Sequence, residues 1–303
     1  MTDRTIQGQG RALCAKGLKK NYGSQQVLRD LDLSIEPGHI YGLIGRNGAG
    51  KTTLLSILTG QNTKNGGEVT YGGEPVWENP RALGDLCFAR ELNPSSEVAA
   101  LKVEEYLLAA KLFCPRWDTA YADALLKKFG LDTKKRISKL SKGQMSMVTI
   151  TAALASRAPV TILDEPAAGL DVVMRERFYR LLLDDYAETG RTFVISTHII
   201  EEAAGVFERV IVLDEGRIIA DAPTEELVDR FRYVSGSAAA VDKALADGPA
   251  PLQVQMVGAH KIAAIQGDGA LFERLAADPD LTLEGMSLQN VFVALCGHGD
   301  EEG

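Results

Sequence analysis

The run Gly45-Arg46-Asn47-Gly48-Ala49-Gly50-Lys51-Thr52 follows a compact apolar stretch, Ile40–Ile44. It fits the spacing GxxxxGK[ST], which suits phosphate binding. Glycines let the backbone turn tightly and aim its N–H groups inward at phosphate oxygens. Lys51 places a positive charge beside the outer phosphates, and Thr52 offers a hydroxyl to Mg²⁺. Residues from Thr52 and Thr53 to Leu58 read as a helix, whose positive N-terminal end points at the same anion. By residue frequency alone, the four constrained positions coincide in about one 300-residue chain in a hundred.

A second group lies downstream. Residues 160–163 form an apolar run that ends in Asp164 and Glu165. At the carboxyl end of a parallel strand, Asp164 is placed to hold Mg²⁺ directly or through water. Glu165 is placed to act as general base or to orient the attacking water. Ser141, Lys142, Gly143 and Gln144 open another predicted helix. Ser141 suits the N-cap, and Gly143 leaves the backbone open to close approach.

The elements that must carry these groups are legible in outline. Val27, Leu31, Leu33 and Ile35 have the near-alternating spacing of a half-buried strand. A short strand is expected at 68–71, between two glycine pairs. Val103–Phe113 and 118–129 have helical spacing, with Pro115 and Gly130 as stops, and a third helix runs from Ser141 towards Ser156. Apolar runs at 160–163 and 192–196 flank a helical stretch at 174–186, which makes a βαβ unit. Beyond residue 231, strands are expected at 231–234, 252–257 and 260–265, and helices at 241–246, 270–277 and 287–295. That order suggests a small ferredoxin-like α+β region.

Charge marks the same divisions. Residues 97 to 157 hold 11 basic and 6 acidic side chains, whereas 232 to 303 hold 4 basic and 10 acidic. The predicted organisation is an α/β region over 1–231, with a helical subdomain at about 92–157, followed by a small C-terminal region at 232–303. The whole chain carries a net charge of −8 over 303 residues, which disfavours nucleic acid as a partner. No apolar run reaches the ~20 residues of a membrane-spanning helix, and the first residues lack the order of a signal peptide. Cys14, Cys87, Cys114 and Cys296 form no CxxC pair, and His39, His198, His260 and His298 do not cluster. The cysteines read as small apolar residues in a reducing compartment.

Taken in order, these motifs resemble the ATP-binding subunit of an ABC transporter. Residues 45–52 look like Walker A and 162–165 like the end of Walker B. Leu140-Ser141-Lys142-Gly143-Gln144 looks like the LSGGQ signature, Gly169-Leu170-Asp171 like the D-loop, and Ser196-Thr197-His198 like the switch histidine. The resemblance covers about residues 12–230. It implies a P-loop NTPase core with an antiparallel β subdomain and a helical subdomain. It also implies that ATP is bound with Mg²⁺ and hydrolysed. Tyr22 falls at the position that stacks on adenine, and His198 at the one that contacts the γ-phosphate. Asp171 is implied to work across a head-to-tail cassette dimer, in which each ATP meets Lys51 of one copy and Ser141 and Gly143 of the other. The expected partners are a second cassette, identical or related, and a separate membrane permease, with export favoured and the protein peripheral on the inner membrane face. Two other readings are a soluble ABC ATPase and an ATP-sensing partner with little turnover.

Two positions depart from the family pattern. Lys142 replaces the first glycine of the signature. Glu91 stands where a glutamine is expected after the strand at 86–89. A carboxylate still suits Mg²⁺, so Glu91 is expected as a metal ligand beside Thr52 and Asp164. Lys142 is expected either near the γ-phosphate of the opposite copy or in solvent.

Overall fold

The computed structural model describes residues 10–93, 97–246 and 248–297. These residues form two compact units, one running to His198 and including Leu213–Ile219, the other made of Ile199–Val212 and the described residues from Ala220 onward. His298 lies outside the described residues.

The first unit begins with β1 (Leu13–Tyr22) and β2 (Gln25–Ile35), then β3 (Ile40–Ile44). Every residue of β3 is buried, as an apolar strand covered on both faces requires. The glycine-rich loop follows, and α1 (Lys51–Leu58) starts from Gly50 in a left-handed conformation. Next come β4 (Gly66–Tyr71), β5 (Glu74–Pro75), the short α2 (Pro80–Leu83) and β6 (Leu86–Arg90). The β2-β1-β4-β5 sheet is antiparallel.

The basic region then folds as α3 (Val103–Phe113), α4 (Thr119–Phe129) and α5 (Lys142–Ala155). Asp118 caps α4 by accepting from the Tyr121 N–H, and Gly130 ends it in the left-handed region. Leu107, Leu126, Ile137, Leu140 and Val148 share one apolar core. Each such side chain contributes about 1.5–3 kcal/mol by leaving water.

The chain returns to the sheet through β7 (Val160–Asp164), α6 (Val172–Thr189) and β8 (Thr192–Thr197). Within the unit, β6, β7, β8 and β3 lie side by side and run parallel. Their register sets Arg90 beside Asp164 and Asp164 beside Ser196. Glu91, Glu165 and the loop after Ile44 therefore leave the same edge, where open α/β sheets bind ligands.

An ion-pair cluster lies away from that edge. Asp185 of α6 is fully buried, with Arg191 Nε at 2.7 Å and Arg157 Nη1 at 3.1 Å. Arg157 also reaches Asp118 at 3.3 Å, so it connects the cap of α4 to α6.

The second unit contains α7 (Ile200–Ala203), and the chain passes between units within β9 (Arg209–Asp214) and β10 (Arg217–Pro223). There follow α8 (Thr224–Asp229), β11 (Phe231–Ser237), α9 (Ala238–Leu245), β12 (Gln253–Val257), β13 (His260–Gln266), α10 (Gly269–Ala276), β14 (Leu281–Gly285) and α11 (Leu288–Cys296). The strands form an antiparallel sheet in the order β12-β13-β11-β14, the ferredoxin-like order. The closing strand β14 is not anticipated by the sequence reading. Its residues, Leu281-Thr-Leu-Glu-Gly285, offer only two apolar positions. The unit also takes in residues before 232, because α11 packs on α7 and α8. All four cysteines are free thiols, and Cys296 is buried.

Candidate functional site

The loop between β3 and α1 is shaped by its glycines. A Cβ at Gly45 would sit 2.3 Å from the Leu213 carbonyl oxygen, so no larger residue fits there. Gly48 and Gly50 have φ of 83° and 107°, a region that favours glycine. Arg46, Asn47 and Gly48 are exposed, Ala49 is buried, and the Ala49 N–H donates to the Arg46 carbonyl at 3.2 Å. Thr53 is half-buried in the first turn of α1.

Lys51 is buried, and its Nζ donates to the Gly45 carbonyl at 2.7 Å and to that of Arg46 at 3.3 Å. Burial pulls its pKa below the ordinary value, while the charges of Glu165 and Asp164 oppose that. The ammonium is thus aimed back over the loop, where an anion forms a stronger charge-assisted bond than a carbonyl does.

Asp164 ends β7, and its two carboxylate oxygens are both engaged. Thr52 Oγ1 donates to Oδ2 at 2.7 Å, and Ser196 Oγ donates to Oδ1. Ser196 Oγ also accepts from the Glu165 N–H at 3.0 Å. One serine hydroxyl therefore fixes both acidic residues. Sequence reasoning passed over its role; the signal was its place two residues before His198 on a strand neighbouring 160–163.

Glu165 has φ of 51°, unusual for a residue with a side chain. Such conformations cost about 1–3 kcal/mol and collect at functional sites. The turn aims the carboxylate at His198, whose Nδ1 lies 2.7 Å from Oε2. The His198 backbone N–H donates to the same oxygen at 3.4 Å.

The oxygen donors Thr52 and Asp164 suit Mg²⁺, a hard cation commonly held by one or two carboxylates plus substrate phosphates. Glu91 is the third residue expected to hold the metal. Among the described residues its ion-pair partner is Lys142, with Nζ 3.1 Å from Oε1. Lys142, expected near the γ-phosphate of the opposite copy or in solvent, is 54% exposed and faces this carboxylate of its own chain.

Ser141 caps α5 in a reciprocal box. The Gln144 N–H donates to Ser141 Oγ at 3.2 Å, and the Ser141 N–H donates to Gln144 Oε1 at 3.1 Å. Gly143 packs so closely that a Cβ there would sit 2.8 Å from the Gly169 carbonyl oxygen. Ser146 Oγ donates to the Ala168 carbonyl at 2.7 Å. Asp171 caps α6 by accepting from the Met174 N–H at 2.9 Å.

Tyr22 ends β1 and is 50% exposed. Its Oη accepts from Asn62 Nδ2 at 2.6 Å, and Lys20 Nζ lies 4.9 Å from the ring centroid.

Comparison with known proteins gives concordant results. Residues 28–168 match the family model described as ABC transporter. The chain is 34% identical over 223 residues to the aliphatic sulfonates import ATP-binding protein SsuB of Rhodopseudomonas palustris, covering 71% of this chain and 75% of the relative. It is 32% identical over 222 residues to the Nod factor export ATP-binding protein I of Burkholderia lata, covering 71% of each. A solved ATP-binding subunit of an ABC transporter superposes with a TM-score of 0.62 at 26% identity, covering 71% of this chain and 91% of that one. The matched residues include the loop, the signature helix and both acidic residues of the site.

Proposed function

The chain belongs to the family of ABC transporter ATP-binding subunits, and from that premise we propose how its residues divide the work. It is an ATP-binding and ATP-hydrolysing subunit that pairs with a second cassette and serves a separate membrane permease. Export is the direction we favour; the curated relatives carry names of both import and export systems. Among the described residues no helix is long and apolar enough to cross a membrane.

The observation that carries the catalytic assignment is the Thr52–Asp164–Ser196–Glu165–His198 chain of hydrogen bonds. It links Thr52, in the first turn after the phosphate loop, to a carboxylate, a serine hydroxyl and a histidine, which supports the reading. In our reading, residues 45–53 cradle the phosphates and Lys51 neutralises them. Thr52 and Asp164 hold Mg²⁺, which when bound screens phosphate charge. Glu165 accepts a proton from the attacking water or orients it. His198 holds the Glu165 carboxylate and faces the γ-phosphate. Tyr22 stacks on adenine. Ser141 and Gly143 of the second copy close the site, with Asp171 alongside.

Two surfaces support the assembly. Val172 and Val173, next to Asp171, are 66% and 69% exposed, as residues awaiting a second copy would be. Leu108, Leu112 and Phe113 stand exposed on α3 in a region of basic charge, a surface suited to a cytoplasmic helix of the permease. The protein then sits on the inner face of the membrane. Residues 1–231 act as the cassette, and 232–303 as an accessory region.

The test is copurification. A tagged Glu165→Gln chain, trapped with ATP in its native host, is isolated from solubilised membranes. Recovery of a multi-span integral membrane protein supports the transporter reading. Recovery of soluble partners alone, such as ribosomes, contradicts it and leaves the ATPase assignment standing.

A further inference from the structure

The two departures from the family pattern touch each other. Lys142 begins α5 and Glu91 directly follows β6, and their charged ends are 3.1 Å apart. The stem of Lys142 crosses the turn before Asp171, since a Cβ at Gly169 would sit 2.4 Å from Lys142 Cγ and 2.8 Å from Cδ. One side chain thus spans the end of β6, the start of α5 and the Gly169 turn. Both partners are about half exposed, at 54% and 45%, so the pair adds little to stability. Its importance lies in where the charges sit.

A lysine in the first turn of a helix stands at the positive end of the helix dipole, where a cation is disfavoured. It needs an anion close by. Glu91 supplies one from within the chain, and a phosphate oxygen supplies a stronger one from outside. Both compete for the same ammonium.

We infer that Glu91 is the resident counter-ion of Lys142 and that the γ-phosphate of ATP carried by the second cassette displaces it, so that Glu91 sets the ATP concentration at which two cassettes close. The inference rests on the reading that the signature residues meet nucleotide across the dimer. Glu91 is here a positioning residue: it acts through Lys142 and does not touch the nucleotide.

The experiment follows dimerisation by light scattering as ATP is titrated into the Glu165→Gln chain. Adding Glu91→Gln frees the ammonium. The ATP concentration for half-dimerisation then falls by about fivefold, the scale of an exposed pair at its strongest, and dimerisation becomes more sensitive to salt. The charge-swapped pair, Glu91→Lys with Lys142→Glu, restores the contact but removes the cation from α5, and more ATP is needed. A purely structural tie predicts that the swap behaves as the parent. That result, or an unchanged midpoint in Glu91→Gln, overturns the inference. So does an altered Mg²⁺ requirement at an unchanged midpoint, which would return Glu91 to the metal. Failure of the Glu165→Gln parent to dimerise at all removes the inference together with the reading beneath it.

Discussion

Nδ1 of His198 donates to the Glu165 carboxylate across 2.7 Å, from the end of one parallel strand to the residue that follows its neighbour. An imidazole that donates through Nδ1 leaves Nε2 as its other polar face. The arrangement holds the carboxylate in one orientation. Removing the ring by His198→Ala lowers kcat by roughly tenfold or more, the scale of one hydrogen bond to a charged group at about 1.5–3 kcal/mol. His198→Gln retains a donor and recovers part of the loss. Steady-state ATP turnover of the two variants, side by side, measures both effects.

Ser196 deserves the same test because one hydroxyl serves two acids. Ser196→Ala leaves the Asp164 carboxylate with one partner fewer and removes the side-chain acceptor of the Glu165 N–H. Turnover is expected to fall by roughly tenfold, again the scale of a charged hydrogen bond. A variant with unaltered turnover shows that Thr52 alone fixes Asp164.

The contrast between these two residues shows what the sequence conveys. The loop, the acidic strand end and Ser141 are legible because each needs particular residue types at fixed spacing. The parallel strands β3, β7 and β8 are legible because each is buried on both faces and carries a short apolar run, Ile40–Ile44, residues 162–163 and residues 193–195. The double use of Ser196 depends on the register of β7 against β8, which local spacing does not encode. The Lys142–Glu91 contact likewise joins residues fifty-one positions apart. The strand β14 escapes notice because its alternation is short and polar, and it is fixed by pairing with β11.

Stability hinges on Asp185. Its carboxylate is fully buried between Arg191 and Arg157. Asp185→Ala strands a buried guanidinium, and the expected loss is about 3–5 kcal/mol in urea unfolding. The exposed pair Arg180–Glu176 serves as the control, because Glu176→Ala in an exposed i,i+4 pair changes stability by about 0.5 kcal/mol or less. Equal effects at the two sites contradict the assignment.

Asp118 brings a pH dependence. The Tyr121 N–H bonded to its carboxylate, together with Arg157, holds its pKa below the ordinary 3.8, while burial pushes the other way. A depressed carboxylate contributes stability above its unfolded value, and that contribution is lost as pH falls through the folded value. Asp118→Asn keeps a capping side chain and loses the charge. The stability gap between the native chain and this variant is therefore present at pH 7 and narrows as pH falls below 3.8. A gap independent of pH shows that the carboxylate charge contributes nothing.

The central claim is that Lys51 binds the phosphates and Glu165 drives their hydrolysis. It is tested most directly by measuring ATP binding and ATP turnover together in the native chain, in Lys51→Ala and in Glu165→Gln. The account predicts that Lys51→Ala loses both. It predicts that Glu165→Gln binds ATP as the native chain does but turns it over at least about a hundredfold more slowly, the lower scale of general-base catalysis. Turnover in Glu165→Gln equal to that of the native chain would contradict it.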